Sequence, residues 1–352
     1  PEEGRGAKTA YREIGSGRVL TYDGLFQGAA QVAGAFAKAD IRAEERAAML
    51  VLDQIEFPQI FWGALKCGVI PIPLNTLLAT SVYDAILRDA RVAILFVSAP
   101  LWDVVKGAVE GNPYLRHVVV IGDAPDGTTD FDNFIDGAVA RDTLPVSPDE
   151  VAFWLYSSGS TGQPKGVAHV HSALRATSDT YGKQVLEIEE NDVVFSAAKF
   201  FFAYGLGNAM TFPLSVGATT LLFDGRPTPD DMVNTLTAEK PTVFCGVPTL
   251  YAAMVAHMDK SGPVDAPLRT CISAGEALPE EVGARWERHT GCCILDGVGS
   301  TEMLHIFLSN RKDDLVYGTS GVAVPGYALR LVNEFGEEVG PGEVGELLVN
   351  GA

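Results

Sequence analysis

Short apolar runs alternate with stretches of helical periodicity along most of the chain, and this alternation predicts strands joined by helices. From Thr21 onward Leu25, Ala29, Val32 and Phe36 recur at helical spacing, and the apolar run 47–52 then reads as a strand. The pattern continues with a helix carrying Phe57, Ile60, Phe61 and Ala64, a run at 69–74, a helix near 82–88 and a strand at 93–97. Pro71 and Pro73 place the 69–74 run at a sheet edge or make it irregular. A helix at 100–110 and a strand at 117–121 follow. After an acidic stretch and the apolar run 151–156, strands are expected at 193–196, 219–223, 243–245, 269–273 and 293–295, with helices such as 249–258 and 279–289 between them. Repeated strand-helix order implies an α/β protein with mostly parallel sheets, whose sites lie outside the carboxyl ends of strands. Beyond Gly318 the pattern changes, and 327–332 and 344–349 look like antiparallel strands of a small barrel or sheet.

At 352 residues the chain is long enough for two or more subdomains. Its 47% hydrophobic and 20% charged residues are those of an ordinary globular protein. No apolar run approaches the roughly 20 residues of a membrane span, and the polar start Pro1-Glu2-Glu3-Gly4-Arg5 is not a signal peptide. A formal charge of −19 repels polyanions, which argues against nucleic-acid and anionic-membrane partners. Cys67, Cys245, Cys271, Cys292 and Cys293 have neither zinc-ligand spacing nor the even count of a disulfide framework, so buried thiols in a reducing cytoplasm are expected.

The run 151–156 leads into Tyr156-Ser157-Ser158-Gly159-Ser160-Thr161-Gly162-Gln163-Pro164-Lys165-Gly166. Such a loop leaves backbone N–H groups open, adds hydroxyl donors and ends in one mobile cation, Lys165, which are the requirements for cradling a triphosphate. A Walker loop would need Gly-Lys-Ser/Thr; here Pro164 precedes the Lys and Gly166 follows it. Loops of this composition are often only solvated, but the length, the Pro-Lys-Gly ending and the preceding buried strand favour phosphate. A second stretch, Leu295-Asp296-Gly297-Val298-Gly299-Ser300-Thr301-Glu302, sets a hydroxyl beside a carboxylate after glycines. Glycines admit a nucleotide close to the backbone, Thr301 can touch a phosphate oxygen, and Glu302 can hold Mg²⁺. Alone it could be a capping turn before a helix. The turn Ser273-Ala274-Gly275-Glu276-Ala277-Leu278 reads by itself as a strand-to-helix connection. In the stretch 197–208 most of the aromatic residues read as core, yet Ala203 and Gly205 leave open space around Tyr204, suited to a flat ring. His305 has two readings, a core histidine or a polar contact to substrate. His169 and His171 lie at strand spacing without a third metal ligand, and a structural role is expected.

The first loop closely resembles the phosphate loop of the adenylate-forming superfamily, which includes acyl-CoA synthetases, aryl-CoA ligases, luciferases and peptide-synthetase adenylation domains. The resemblance implies ATP and Mg²⁺, with Ser157, Ser158, Gly159, Ser160, Thr161, Gly162 and Lys165 on the phosphates. It implies Gly275, Glu276 and Ala277 around the nucleotide together with Asp296, Gly297, Val298, Gly299, Ser300 and Thr301, and gives catalytic roles to Lys165, Thr301 and Glu302, the last as the metal ligand. The family carries an aromatic residue that packs on adenine where this chain has Val298. The stretches 197–208 and 299–306 look like the benzoate-CoA ligase branch, which implies an aryl pocket lined by Ala203, Tyr204, Ala274, Gly275, Gly299, His305 and Ile306.

By the same resemblance the fold is a set of distorted doubly wound sheets in layered αβαβα arrangement over residues 1–317, with part of a small β-barrel at 318–352. Relatives continue to a ribose-gripping Asp, a hinge and a mobile C-terminal domain bearing a catalytic Lys, none of which lies in these residues. They are therefore expected to be impaired in making thioester. The implied activity is cytoplasmic conversion of benzoate or a small substituted benzoate, through aroyl-AMP, to its coenzyme A thioester. A homodimer is among the assemblies left open. An adenylation domain that loads a carrier protein and a non-catalytic nucleotide- or acyl-adenylate-binding protein are the rival readings.

Overall fold

A computed structural model describes residues 4–158 and 163–351. The chain divides into two compact units that interleave along the sequence, one made of Pro1–Ser172, Lys199–Met210 and Thr219–Arg226, the other of Ala173–Ala198, Thr211–Ala218 and Pro227–Ala352.

In the first unit β1 (Thr9–Glu13) pairs antiparallel with β2 (Val19–Thr21). Next come β3 (Arg46–Leu50), β4 (Ile70–Pro73), β5 (Val92–Ser98), β6 (His117–Ile121) and β7 (Thr129–Asp130), which form one all-parallel sheet in the order β4-β3-β5-β6-β7. This is a doubly wound order, whose switch point lies where β3 and β5 run side by side. The Pro-containing β4 is an edge strand, where a missing N–H costs least. Helices Glu56–Lys66, Thr80–Asp89 and Trp102–Val109 connect the strands. Leu50, Ile72, Tyr83, Leu87, Leu95 and Val97 belong to one buried apolar cluster. β8 (Val151–Ser158) and β9 (Pro164–Val170) make an antiparallel hairpin, and its Trp154 and Tyr156 pack against that cluster. β10 (Val193–Ser196) lies in the second unit, whereas β11 (Thr219–Leu222) returns to the first and pairs parallel with β1.

In the second unit β10, β12 (Val243–Gly246), β13 (Thr270–Ala274) and β14 (Ile294–Gly299) are parallel neighbours in that order. β15 (Ile306–Ser309) and β16 (Val322–Ala323) add antiparallel strands beyond β14. Helix Pro248–Ser261 begins with Pro at its first turn; helix Glu280–Thr290 has Glu280 and Glu281 at its start, Arg288 and His289 at its end, and Gly291 in the left-handed region at φ 73° closing it. Trp286 of the second helix is fully buried, stacked on Phe244 at 5.9 Å and edge-on to Tyr251 at 4.7 Å. The 318–352 segment contributes β17 (Ala328–Val332) and β18 (Glu346–Asn350), an antiparallel pair as its pattern predicts. Among the described residues no helix is long and apolar enough to cross a membrane.

One ion pair ties the loop before β10 to the start of β13. Asp192 is 4% exposed and accepts from Arg269 Nε and Thr242 Oγ1, each at 2.7 Å, and from the Glu189 N–H at 2.8 Å. Burial pushes its carboxyl up, but the bonds from Arg269, Glu189 and Thr242 outweigh it and hold the group below the usual carboxylate range. A depressed folded value means stability present above the unfolded pKa and lost as pH falls through the folded one. Asp192→Asn is expected to lower the unfolding free energy at neutral pH by roughly 2–4 kcal/mol, with Arg269 near a third exposed. In urea titrations the gap between the two proteins should close below about pH 4; a gap independent of pH would rule out the ion pair as its source.

Candidate functional site

The sequence-predicted phosphate loop begins and ends on the β8–β9 hairpin, with Tyr156 opposite Gly166, Ser157 opposite Lys165 and Ser158 opposite Pro164. Gly159, Ser160, Thr161 and Gly162, with the Ser158 side chain, lie outside the described residues. Lys165 is exposed on the return strand. Gly166 lies over the Tyr156 and Trp154 rings, where an added Cβ would be 3.2 Å from Tyr156 Cζ. The Tyr156 hydroxyl donates to Asp89 Oδ2 at 2.5 Å, at the end of helix Thr80–Asp89, so the hairpin is latched one residue before Ser157. Burial, and then the facing carboxylate, push the Tyr156 phenol well above its usual range, which keeps it a donor.

In the second unit the β13–β14 register sets Ser273 beside Asp296 and Ala274 beside Gly297, so both predicted nucleotide turns leave the sheet at the same end. Gly275 is exposed at φ 95°, a conformation that suits only glycine, and Glu276 and Ala277 are exposed after it. Asp296 is turned inward: it is 6% exposed and accepts from the Leu278 N–H at 3.4 Å. Burial raises its carboxyl, with Ser273 and the N–H groups of Leu278 and Gly297 pulling the other way. It braces the 274–278 turn against β14.

The strand runs through Gly299, further than the apolar pattern suggests, and no helix follows. Residues 300–305 turn the chain back into antiparallel β15, so the capping-turn alternative does not hold. Ser300 Oγ accepts from the Met303 N–H at 3.1 Å and Leu304 sits at φ 63°, which fixes this turn. Thr301 is half-buried and Glu302 exposed at its tip. Among the described residues no cation pairs with Glu302 and no group of three His, Cys, Asp or Glu side chains could hold a metal. A single open carboxylate fits Mg²⁺ that keeps waters and phosphate oxygens as its other ligands.

The turn delivers His305, 2% exposed, into an aromatic setting, its ring 4.6 Å edge-on from Phe212 and 5.0 Å from Tyr181. Tyr181 and Phe212 are contacts that sequence reasoning missed, because they come from segments remote in sequence. An added Cβ on Gly299 would lie 2.5 Å from the His305 carbonyl oxygen, and one on Gly297 2.8 Å from Ile306 Cγ2. These glycines are required by the returning strand, a reason independent of any nucleotide.

In the first unit Ala203 and Tyr204 are half-buried on the short helix Ala203–Leu206, which continues into a π-helical turn Gly207–Thr211. Phe200 and Phe201 are core, as expected, whereas Phe202 is 46% exposed. His169 is buried and stacked on Phe153 at 5.0 Å, in keeping with a structural role.

The profile of the AMP-binding enzyme family matches residues 2–352. A benzoate–CoA ligase of Thauera aromatica is 47% identical over 350 residues, covering 99% of this chain and 66% of that protein, so the chain spans just under two-thirds of its length. The crystal structure of a benzoate CoA ligase from Burkholderia xenovorans LB400 superimposes with a TM-score of 0.93 at 45% identity, covering 100% of this chain and 70% of the other. The anthranilate CoA ligase AuaEII, crystallised with anthranoyl-AMP, gives a TM-score of 0.93 at 37% identity, covering 99% and 66%.

Because the Gly299 Cβ direction points at backbone, Gly299→Ala must displace the β14–β15 turn. A destabilisation of about 1–3 kcal/mol is expected, read from the urea midpoint at unchanged slope; an unchanged midpoint would mean that the turn yields without cost.

Proposed function

The chain belongs to the AMP-binding enzyme family, and we propose that it is the substrate-activating part of an AMP-forming aryl-CoA ligase. The observation that supports this reading is that the end of β14, one turn and the start of β15 bring together residues chemically suited to both parts of an acyl-adenylate: Gly299, Ser300, Thr301 and Glu302 to a nucleotide, and His305 and Ile306 to a ring. An acyl-adenylate joins the same two parts by one bond, and AuaEII was crystallised with such a molecule.

The aromatic carboxylate attacks the α-phosphorus of ATP, the bond to the bridging oxygen breaks, and pyrophosphate leaves; the thiolate of coenzyme A then displaces AMP from the mixed anhydride. Catalysis of the first step rests on positioning and on donors aimed at the growing phosphate charge. Ser157 and Lys165, with the hydroxyls and amides that the sequence supplies at 158–162, would hold the β- and γ-phosphates. Thr301 would donate to a phosphate oxygen. Glu302 would hold Mg²⁺, which when bound neutralises charge between the phosphates. Gly275, Glu276 and Ala277 would border the adenine, with Asp296 bracing that turn from inside; Val298, 37% exposed, offers an aliphatic face where relatives place an aromatic ring. The resemblance assigns aryl contacts to Ala203 and Tyr204 in the first unit and to Ala274, Gly275 and His305 in the second, each taken by itself. The bodies 1–317 and 318–352 are proposed as the family's α/β body and part of its barrel.

Aryl-acid-dependent exchange of pyrophosphate into ATP tests the reading, with benzoate expected to exceed octanoate. No exchange despite ligand binding would favour a non-catalytic binder, and transfer to a carrier protein in preference to coenzyme A would favour the adenylation-domain alternative. Glu302→Gln is expected to reduce exchange on the order of 10- to 100-fold and to raise the Mg²⁺ concentration needed; equal rates and equal Mg²⁺ dependence would remove Glu302 from the site. Residues 1–352 on their own are expected to bind aryl acid and aroyl-AMP yet form aroyl-CoA slowly, since a closing lid supplies charge and excludes water in such steps. Mass spectrometry of products from ATP, Mg²⁺, benzoate and coenzyme A measures this, and a thioester rate equal to that of a full-length ligase would refute it.

A further inference from the structure

The switch point of the five-stranded sheet is where doubly wound proteins open a ligand crevice, between the carboxyl ends of the two strands that diverge. Here those ends are Leu50 of β3 and Ser98 of β5, and the crevice is closed by the chain itself. Ser98 Oγ accepts from the Leu52 N–H at 3.0 Å and donates to Gln54 Oε1 at 3.2 Å. Asp53, 5% exposed between them, accepts the Phe200 N–H at 3.1 Å through Oδ1, and its Oδ2 lies 3.9 Å from Lys199 Nζ. Lys199 in turn donates to the Phe223 carbonyl and lies over that ring at 5.1 Å from its centroid. Phe200 is fully buried, stacked at 4.6 Å on Phe57 and edge-on to Tyr11 at 6.3 Å.

Three residues past Phe200 begin Ala203 and Tyr204. We infer that Asp53 and Lys199 are positioning residues for aryl-acid binding: the ion pair fixes the Lys199–Phe200 backbone and thereby sets where Tyr204 stands. This rests on the proposed aryl-CoA ligase function.

The clamp is not explained by stability. Burial pushes the Asp53 carboxyl up to about 6, against the pull of Lys199 and the Phe200 N–H, and Asp224 adds to the rise. Burial likewise lowers the Lys199 ammonium, with Asp53 and Asp224 opposing. A carboxyl raised in the folded state contributes stability that is complete only below its unfolded pKa and is lost as pH rises through about 6. At neutral pH the charge is therefore held at a cost, which suits a placement role.

Calorimetric titration of benzoate and of ATP into the 352-residue chain and its Asp53→Asn, Lys199→Met and Lys199→Arg variants tests this. Benzoate affinity should fall on the order of tenfold in Asp53→Asn and Lys199→Met and recover in Lys199→Arg, with ATP affinity and thermal midpoint little changed. In the parent, benzoate affinity should drop as pH falls through about 6, and Asp53→Asn should lack that step. Parent-like benzoate binding and pH dependence in Asp53→Asn overturn the clamp alone, as does equal loss of ATP binding and thermal stability. A parent chain that binds ATP but no aryl acid overturns the functional reading and the clamp with it.

Discussion

Parallel pairing in one fixed register is the constraint on which the candidate nucleotide face of the second unit depends. Side chains alternate across a strand with period two, so a one-residue slip between β13 and β14 would move Asp296 to the opposite face and away from Ser273 and Leu278. In the observed register Asp296 stands beside Ser273 and braces Leu278, and the 274–278 and 299–305 turns then leave from neighbouring strand ends. The antiparallel return of β15 adds a second condition. It can lie against β14 only because Gly297 and Gly299 present no side chain to Ile306 and to the His305 carbonyl. The candidate residues of this turn are thus placed by the same contacts that make the sheet fold.

Much of this architecture was legible as hydrophobic pattern. Buried parallel strands such as β5, buried at all seven positions, are continuous apolar runs, and helices such as Thr80–Asp89 bury one face through Tyr83, Ile86 and Leu87. β9 was not legible. Its sequence, Pro-Lys-Gly-Val-Ala-His-Val, opens with a proline and a glycine, and its exposed positions carry no alternation that separates it from the loop before it. The interleaving of two units was also hidden, since the return of Lys199–Met210 and Thr219–Arg226 to the first unit is a matter of long-range contacts that no local pattern encodes.

The candidate site was legible where chemistry is written in adjacent residues and obscure where it is assembled. Gly-Ser-Thr-Glu could be found because its hydroxyl, carboxylate and glycines are contiguous. The surroundings of His305 could not, because Tyr181 and Phe212 meet it only after folding. Glycine was read for one reason and is held for another as well: Gly297 and Gly299 look like access for a nucleotide, and the structure adds that the returning strand leaves no room for a Cβ. A lone lysine in the apolar stretch 197–208 was the available signal for the clamp at Lys199, since an amine in such company must be paid for by a partner.

The two buried carboxylates separate what holds the fold from what aims a site. Asp192 receives four hydrogen bonds, two of them from a guanidinium that is itself partly solvated, and its ionised form is favoured on folding. Asp53 receives one backbone N–H and faces an ammonium at 3.9 Å, too few and too distant to repay full burial, so its ionised form is disfavoured. A carboxylate satisfied in the first manner strengthens the structure wherever it stands. One satisfied in the second manner is retained against its own electrostatics, and the backbone it grips leads directly to Tyr204. The difference in hydrogen-bond supply, rather than in burial, is what assigns Asp192 to the scaffold and Asp53 to the placement of the ring.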